Sequence, residues 1–193
     1  MGYESTLAAF EASMQKLQLE YLDLYLIHWP GKDKSKYKAT WRAFEKLYRD
    51  GRIRAIGVSN FHIPHLEELM ADATIRPMVN QIEFHPHLTQ KPLRQYCERF
   101  GIQYQAWSPL KQGQLLDEPT LIEIGNKYNK SAAQVILRWD LQHKVVTIPK
   151  STNLKRIEEN ADIFDFRLTE QEMEAIDQLD RGERISINPD DTL

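Results

Sequence analysis

A histidine stands where an apolar stretch ends near the start of the chain. His28 follows Leu24–Ile27 in the segment LYLIHWP. Two interpretations are open for it: a side chain packed at the end of a strand, or an imidazole that points at a substrate. Trp29, the next residue, either lines the same pocket or simply packs against its neighbours.

Three polar side chains lie within or at the end of two later apolar runs. Ser59 and Asn60 end the first run, and Gln81 lies in the second. Ser59 and Asn60 could instead cap a helix, which is a common use of both residue types. Gln81 could be a buried amide with backbone partners. Together, however, two amides and a hydroxyl at neighbouring strand ends are the groups needed to hold a carboxamide.

A basic cluster occurs in the segment KSTNLKRIEEN. Lys150, Ser151, Asn153, Lys155 and Arg156 stand at the expected start of a helix. A cluster of this kind could be ordinary solvated surface. At a helix start it could also bind phosphate, because free N–H groups and the helix dipole both favour an anion there.

Other candidate groups indicate structure rather than chemistry. His85 and His87 suggest a metal site, but no cysteine or carboxylate nearby completes a convincing ligand set, so we expect none. Glu83 is interpreted as a structural carboxylate. Cys97, the only cysteine, has Leu93, Tyr96 and Phe100 at helical spacing, which predicts a buried thiol rather than a nucleophile.

The composition is that of a soluble globular protein. The 193 residues include 41% apolar and 27% charged residues, with a formal net charge of −3. No apolar run reaches the roughly 18 residues of a membrane span, and the first residues do not have the pattern of a secretory signal. The near-neutral charge argues against a nucleic-acid surface. A single cysteine fits the cytoplasm, which we predict as the location.

Short β-rich runs alternate with helical patterns along the whole chain. The predicted strands are YLDLYLI (21–27), IRAIGVS (53–59), MVNQIEF (78–84), IQYQAWS (102–108) and VVTIPK (145–150). Helical stripes precede, separate and follow them, including one that carries Ile157, Ala161 and Phe164. Capping boxes are predicted at Ser131/Gln134 and Thr169/Glu172.

This alternation predicts an α/β fold with a parallel sheet covered by helices. No G-x-G-x-x-G motif follows a strand, which counts against a Rossmann fold. The polar residues collect at the carboxyl ends of the strands, where (β/α)8 barrels of the TIM type carry their chemistry. Such a barrel usually takes about 250 residues, so we predict about five of eight βα units, from the C-terminal part of the barrel.

Five segments in register resemble the aldo-keto reductases. They are LYLIHWP, GRIRAIGVSNF, VNQIEFHP, AWSPL and IPKSTNLKRIEEN. The likeness covers essentially the whole chain and is greatest to the bacterial type that reduces glyoxal, methylglyoxal and 2,5-diketo-D-gluconate. It implies a cytoplasmic oxidoreductase that uses NADPH to reduce aldehydes and ketones to alcohols.

The resemblance also assigns roles to residues. It implies that His28 is catalytic and holds the substrate carbonyl, with Trp29 beside it. It implies that four groups of residues bind the cofactor. The nicotinamide is bound by Ser59, Asn60, Gln81 and Trp107, and the pyrophosphate by Ser108 and Leu110. The 2′-phosphate is bound by Lys150, Ser151 and Arg156, and the adenine by Glu159 and Asn160.

Part of the family pattern is not found in the chain. The family's first three strands, with its catalytic aspartate, tyrosine and lysine, match no segment of residues 1–20. We therefore expect residues 1–193 to form a single partial barrel domain, N-terminally truncated and impaired in turnover. The alternative is a cofactor-binding or remnant barrel fragment without turnover. The expected partner is a small carbonyl substrate, and neither a nucleic acid nor a membrane is expected as a partner. We also expect that the chain can self-associate through the open edges of the barrel.

Overall fold

The computed structural model describes residues 1–191 and contains a parallel sheet. Within these residues, five strands lie in the order β1-β2-β3-β4-β5, and the pairings β1–β2, β2–β3 and β4–β5 are parallel. The strands are β1 (Leu22–Ile27), β2 (Ile53–Ser59), β3 (Val79–Glu83), β4 (Gln103–Trp107) and β5 (Val146–Thr147). The predicted α/β class with a parallel sheet is confirmed.

Helices separate the strands as predicted. They are α1 (Tyr3–Leu17), α2 (Lys34–Arg49), α3 (Ile63–Met70), α4 (Lys91–Phe100), α5 (Pro119–Tyr128), α6 (Ala132–Gln142), α7 (Leu154–Ala161) and α8 (Glu170–Asp177). Among residues 1–191, none of them combines the length and apolar character that crossing a bilayer requires.

The chain divides into two compact units. Unit 1 comprises residues 1–81, 93–103 and 187–191, and unit 2 comprises residues 82–92 and 104–186. Each unit contains a main-chain hydrogen bond between β4 and a residue that flanks β3. In unit 1 the Gln103 N–H donates to the Met78 carbonyl (2.8 Å), and in unit 2 the Phe84 N–H donates to the Trp107 carbonyl (3.4 Å).

Aromatic packing forms the core of unit 1. Tyr25 of β1 lies between Phe10 of α1 and Phe44 of α2, with ring centroids 5.7 and 4.7 Å away. The Trp41 indole N–H donates to the Ile75 carbonyl (3.0 Å), which satisfies the polar atom of a buried ring. Cys97 is fully buried, as predicted, and burial raises the pKa of its thiol to about 11, so it is not a nucleophile at neutral pH.

Unit 2 is built around α6. Phe84, the residue after β3, stacks on Trp139 of α6, with centroids 4.7 Å apart and planes 6° from parallel. Both predicted capping boxes are present: Ser131 with Gln134 begins α6, and Thr169 with Glu172 begins α8. Each box satisfies backbone N–H groups that would otherwise have no partner at a helix start.

Two sequence predictions in unit 2 are wrong. The run predicted as a strand over residues 145–150 is a strand only at Val146–Thr147, because Pro149 has no N–H to donate to a ladder. The helix that follows ends at Ala161, so Phe164 lies outside it. Ile157, which lies in the helix, is 49% exposed, and Phe164 is 75% exposed.

Candidate active site

His28 lies just beyond β1 in unit 1 and is exposed. It lines a cavity of about 380 Å³ together with Trp29 and Tyr25. The His28 and Trp29 rings lie 6.1 Å apart between centroids. The His28 side chain is therefore not packed in the core, which was the alternative to a functional role.

Ser59 and Asn60 fasten neighbouring strand ends in unit 1. The Ser59 hydroxyl donates to the Gln81 carbonyl (2.8 Å), and the Asn60 amide donates to the His28 carbonyl (3.0 Å). The Asn60 backbone N–H also donates to the Gln81 carbonyl (2.8 Å), with Asn60 in the left-handed region at φ 62°. Ser59 and Asn60 do not cap α3, because the cap residue of that helix is His62. Their hydrogen bonds hold together the backbone of His28, Ser59, Asn60 and Gln81 near the carboxyl ends of neighbouring strands.

A cavity of about 690 Å³ gathers the other predicted cofactor residues within unit 2. Trp107 and Ser108 lie where β4 ends, Lys150 and Ser151 follow β5, and Arg156 lies in the first turn of α7. The predicted residues that line the cavity are Trp107, Ser108, Leu110, Lys150, Ser151, Arg156, Glu159 and Asn160. These residues are far apart in the sequence, so their convergence on one cavity is a result of the fold.

The basic side of this cavity is preorganised by local hydrogen bonds. The Asn153 side chain accepts the Arg156 N–H (3.3 Å) and caps α7, and the Ser151 hydroxyl accepts the Asn153 N–H (3.1 Å). Lys150 and Arg156 are exposed, and their charges are held at the start of a helix. This combination of two cations, a hydroxyl and a helix start is chemically suited to a phosphate group.

The sequence analysis missed part of the cavity lining. Gln112, Gly113 and Leu116 lie in the connection after β4, and Ser131–Ala133 form the start of α6. The predicted capping box at Ser131 was the available signal for the second group, because it located the start of α6. The connection after β4 also holds Ser108 at φ 54°, Lys111 at φ 46° and Gln112 at φ 55°. Left-handed conformations of this kind cost about 1–2 kcal/mol for residues other than glycine.

The histidines of the HPHL segment have protein partners of their own in unit 2. The His85 ring lies 3.0 Å from the Glu83 carboxylate, and both side chains are buried. The His87 ring lies 3.1 Å from the Lys111 ammonium and 2.6 Å from an Arg181 guanidinium nitrogen. Two cations beside His87 are incompatible with a bound metal cation. Within residues 1–191, no group of three or more histidine, cysteine, aspartate or glutamate side chains is arranged to hold a metal.

We predict that protonation of His87 destabilises the protein as the pH falls below about 6.5. Burial lowers the pKa of His87, and the nearby Arg181 and Lys111 charges lower it further. The unfolded chain therefore binds more protons than the folded chain just below the ordinary histidine pKa. The stabilisation is present above that pKa and is lost as the pH falls towards the folded value. Burial lowers the pKa of His65 too, which adds to the effect.

Urea unfolding at several pH values between 7.5 and 5 measures this effect. The lower limit stays above the range in which most carboxylates titrate. His87→Gln should have a flatter pH dependence than the unmodified chain. A dependence that is identical in the two proteins would show that His87 does not contribute.

The fold and the site define a class of protein. Parallel strands alternate with helices, and polar side chains gather where the strands end, which is the TIM-barrel type of α/β architecture. Within this class, the chain belongs to the aldo/keto reductase family, whose model matches residues 1–181. The family predicted from the sequence is confirmed.

Similar proteins include enzymes that act on small aldehydes. The chain is 69% identical over 192 residues to a glyoxal reductase of Bacillus subtilis, covering 100% of this chain and 69% of that protein. It is 45% identical over 184 residues to the methylglyoxal reductase DkgA of Yersinia pestis, covering 94% of this chain and 66% of that one. A crystal structure of a Gox0644 mutant in complex with NADPH has a TM-score of 0.96 and 43% identity, covering 100% of this chain and 71% of that chain.

Proposed function

We propose that this chain is an NADPH-dependent reductase of small aldehydes, of the glyoxal and methylglyoxal type. The observation that carries the proposal is the 690 Å³ cavity of unit 2, where an aromatic face, a hydroxyl and two cations converge. The 69% identity to a glyoxal reductase and the NADPH-bound structure of a relative support the same chemistry. When bound, NADPH supplies the hydride for reduction of the carbonyl carbon.

The residues of unit 2 fit such a cofactor. Trp107 offers a flat face to the nicotinamide ring, which positions the ring and excludes water from one side. By the family resemblance, Ser108 and Leu110 would lie along the pyrophosphate, and Lys150, Ser151 and Arg156 would bind the 2′-phosphate. By the family resemblance, Glu159 and Asn160 contact the adenine. Glu159 also lies 3.8 Å from the exposed Lys155, a contact that solvent screens.

The predicted site residues of unit 1 would bind the substrate carbonyl and the nicotinamide carboxamide. His28 donates one ring N–H to the carbonyl oxygen of the substrate and so orients it. Ser59, Asn60 and Gln81 hold the nicotinamide carboxamide, and Trp29 lines the substrate pocket. The bonds that Ser59 and Asn60 make to neighbouring backbone atoms fix the positions of these strand ends before any ligand binds.

We also propose that these five βα units are part of an eight-unit barrel and that turnover by this chain is impaired. The chain covers 69% of the glyoxal reductase and 71% of the NADPH-bound relative, which supports the first point. The second follows from the family's catalytic tyrosine, for which residues 1–193 contain no matching motif. Self-association through the edges of β1 and β5 stays a prediction, which sedimentation at several concentrations would measure.

Cofactor titration tests the proposal. We expect NADPH to quench tryptophan fluorescence and Trp107→Ala to weaken the affinity roughly 5- to 150-fold, because stacking of a base on an aromatic side chain contributes about 1–3 kcal/mol. His28→Ala is the matched control, since a residue that holds the carbonyl should leave NADPH affinity unchanged. Saturable binding without turnover would favour the non-catalytic alternative. No binding at millimolar NADPH would overturn the cofactor assignment.

A further inference from the structure

Lys111 is a buried cation for which the proposed chemistry has no use. Its side chain is 2% exposed, and its ammonium lies 2.6 Å from the Glu183 carboxylate and 3.1 Å from the His87 ring. A buried ammonium requires a partner of opposite charge or a hydrogen-bond acceptor, and Glu183 supplies the charge. Leu110 and Gln112, on either side of Lys111, line the cavity of unit 2.

Glu183 belongs to a segment that is fastened to the β3–α4 connection of the same unit. We call residues 180–185 the strap. The Arg181 and Glu183 N–H groups both donate to the His87 carbonyl (3.2 and 3.1 Å). The Ile185 N–H donates to the buried Glu83 carboxylate (2.7 Å). The strap therefore depends on side chains and backbone of residues 83–87 for its order.

The loop that carries Lys111 has a contact with a distant segment of the same unit. We call residues 108–113 the cofactor loop. Its hydrogen bonds from Lys111 N–H to the Ser108 carbonyl (2.9 Å) and from Gly113 N–H to the Leu110 carbonyl (2.8 Å) both lie within the loop. Left-handed residues persist where the surroundings hold them in place. The Lys111 side chain provides such a hold, because it reaches out of the loop to the strap.

We propose that the Lys111–Glu183 ion pair is a pin that couples the order of the cofactor loop to the order of the strap. Lys111 is then a positioning residue for the cavity rather than a phosphate ligand, since its charge is neutralised by Glu183. In so far as the cavity holds NADPH, which rests on the proposed function, cofactor binding and strap order reinforce each other. Such coupling is reciprocal by thermodynamic necessity.

Hydrogen exchange measured by mass spectrometry tests the pin from both of its ends. Glu183→Ala should raise exchange in the cofactor loop about threefold or more, and Lys111→Met should do the same in the strap. Glu183 is half-exposed, so its truncation leaves no cavity in the core, but it does leave the buried Lys111 ammonium without its charge partner. Glu183→Gln keeps a hydrogen-bond acceptor there and is the second variant, in which exchange in the cofactor loop should also rise. Methionine approximates the length of the buried lysine while removing its charge.

Lys130→Met is the matched control variant. Lys130 is also nearly buried in unit 2, at 8% exposure, and pairs with Asp162 (2.7 Å) and Asp165 (2.8 Å). Lys130→Met should leave hydrogen exchange unchanged in both the cofactor loop and the strap. If the changes in hydrogen exchange in Glu183→Ala and Lys111→Met stay within the mutated segment, or if Lys130→Met reproduces them, the proposed coupling of the cofactor loop to the strap is wrong.

Added NADPH separates this inference from the proposed function. In the unmodified chain NADPH should slow exchange in both segments, and in Lys111→Met only in the cofactor loop. Glu183→Ala should weaken NADPH affinity about fivefold, the lower end of usual coupling effects. If NADPH slows exchange in neither segment while the cross effects of the variants persist, the cofactor assignment is wrong and the pin stands. If NADPH binds equally well to both variants and to the unmodified chain, the coupling to the cavity is wrong.

Discussion

This chain should reduce methylglyoxal with NADPH at least about 100-fold more slowly than a version extended at its N-terminus by the matching segment of the Bacillus subtilis glyoxal reductase. A positioned general acid contributes about 10²–10⁴-fold to a proton transfer. Carbonyl reduction needs a proton on the oxygen, and the family resemblance implies a tyrosine donor that stands in no matching motif here. NADPH oxidation, followed at 1 mM methylglyoxal or at several concentrations around the KM, would measure the difference.

Four tyrosines of unit 1 are poor substitutes for that donor. Tyr37 is fully buried and packs edge-on against Phe61, with ring centroids 5.4 Å apart. Tyr25 lines the same cavity as His28, but its ring is held between Phe10 and Phe44. Tyr3 and Tyr21 also stand outside the family motif.

Two variants sharpen the comparison of the short and extended chains. Tyr25→Phe should leave the residual rate of the short chain unchanged, and a marked drop would identify Tyr25 as the proton donor. His28→Ala in the extended chain should lower kcat/KM by weakening carbonyl orientation. A short chain that matches the extended chain in rate would show that no proton donor is missing.

NADPH should bind at least about tenfold more tightly than NADH, and Arg156→Ala should remove most of this preference. Charge-assisted hydrogen bonds contribute about 1.5–3 kcal/mol each, and every 1.4 kcal/mol is a factor of about ten. Lys150 and Arg156 are exposed, so solvent and salt screen them and the lower end of that range applies. The preference should therefore fall further when the ionic strength is raised.

Lys155 offers a matched control on the same helix. It is an exposed cation next to Arg156 and does not line the cavity. Lys155→Ala should change the affinities for NADPH and NADH by similar factors, whereas Arg156→Ala should weaken NADPH selectively. Equal affinities for the two cofactors in the unmodified chain would overturn the assignment of Lys150, Ser151 and Arg156 to the 2′-phosphate.

The sequence by itself determined the elements and the class of the fold. Hydrophobic periodicity predicted the five strands and the helices between them, and the boxes at Ser131 and Thr169 predicted where α6 and α8 begin. These signals are local, because a capping box spans four residues and a strand pattern repeats every two. The family was also evident from the sequence, since its five motifs are contiguous segments.

Only the tertiary structure decided which residues meet. The sequence predicted a longer last strand and a helix that extends to Phe164, and the ends of both elements depend on neighbours that periodicity does not specify. It also gave no sign that Lys111 is buried against Glu183, since a lysine in a connection between a strand and a helix is typical of solvated surface. The sequence predicted that the side chains of Ser59 and Asn60 bind a carboxamide. It gave no sign that they also donate to the backbone of neighbouring strand ends. Contacts between residues far apart in the chain depend on strand order and on the conformation of the connections, which local propensity does not encode.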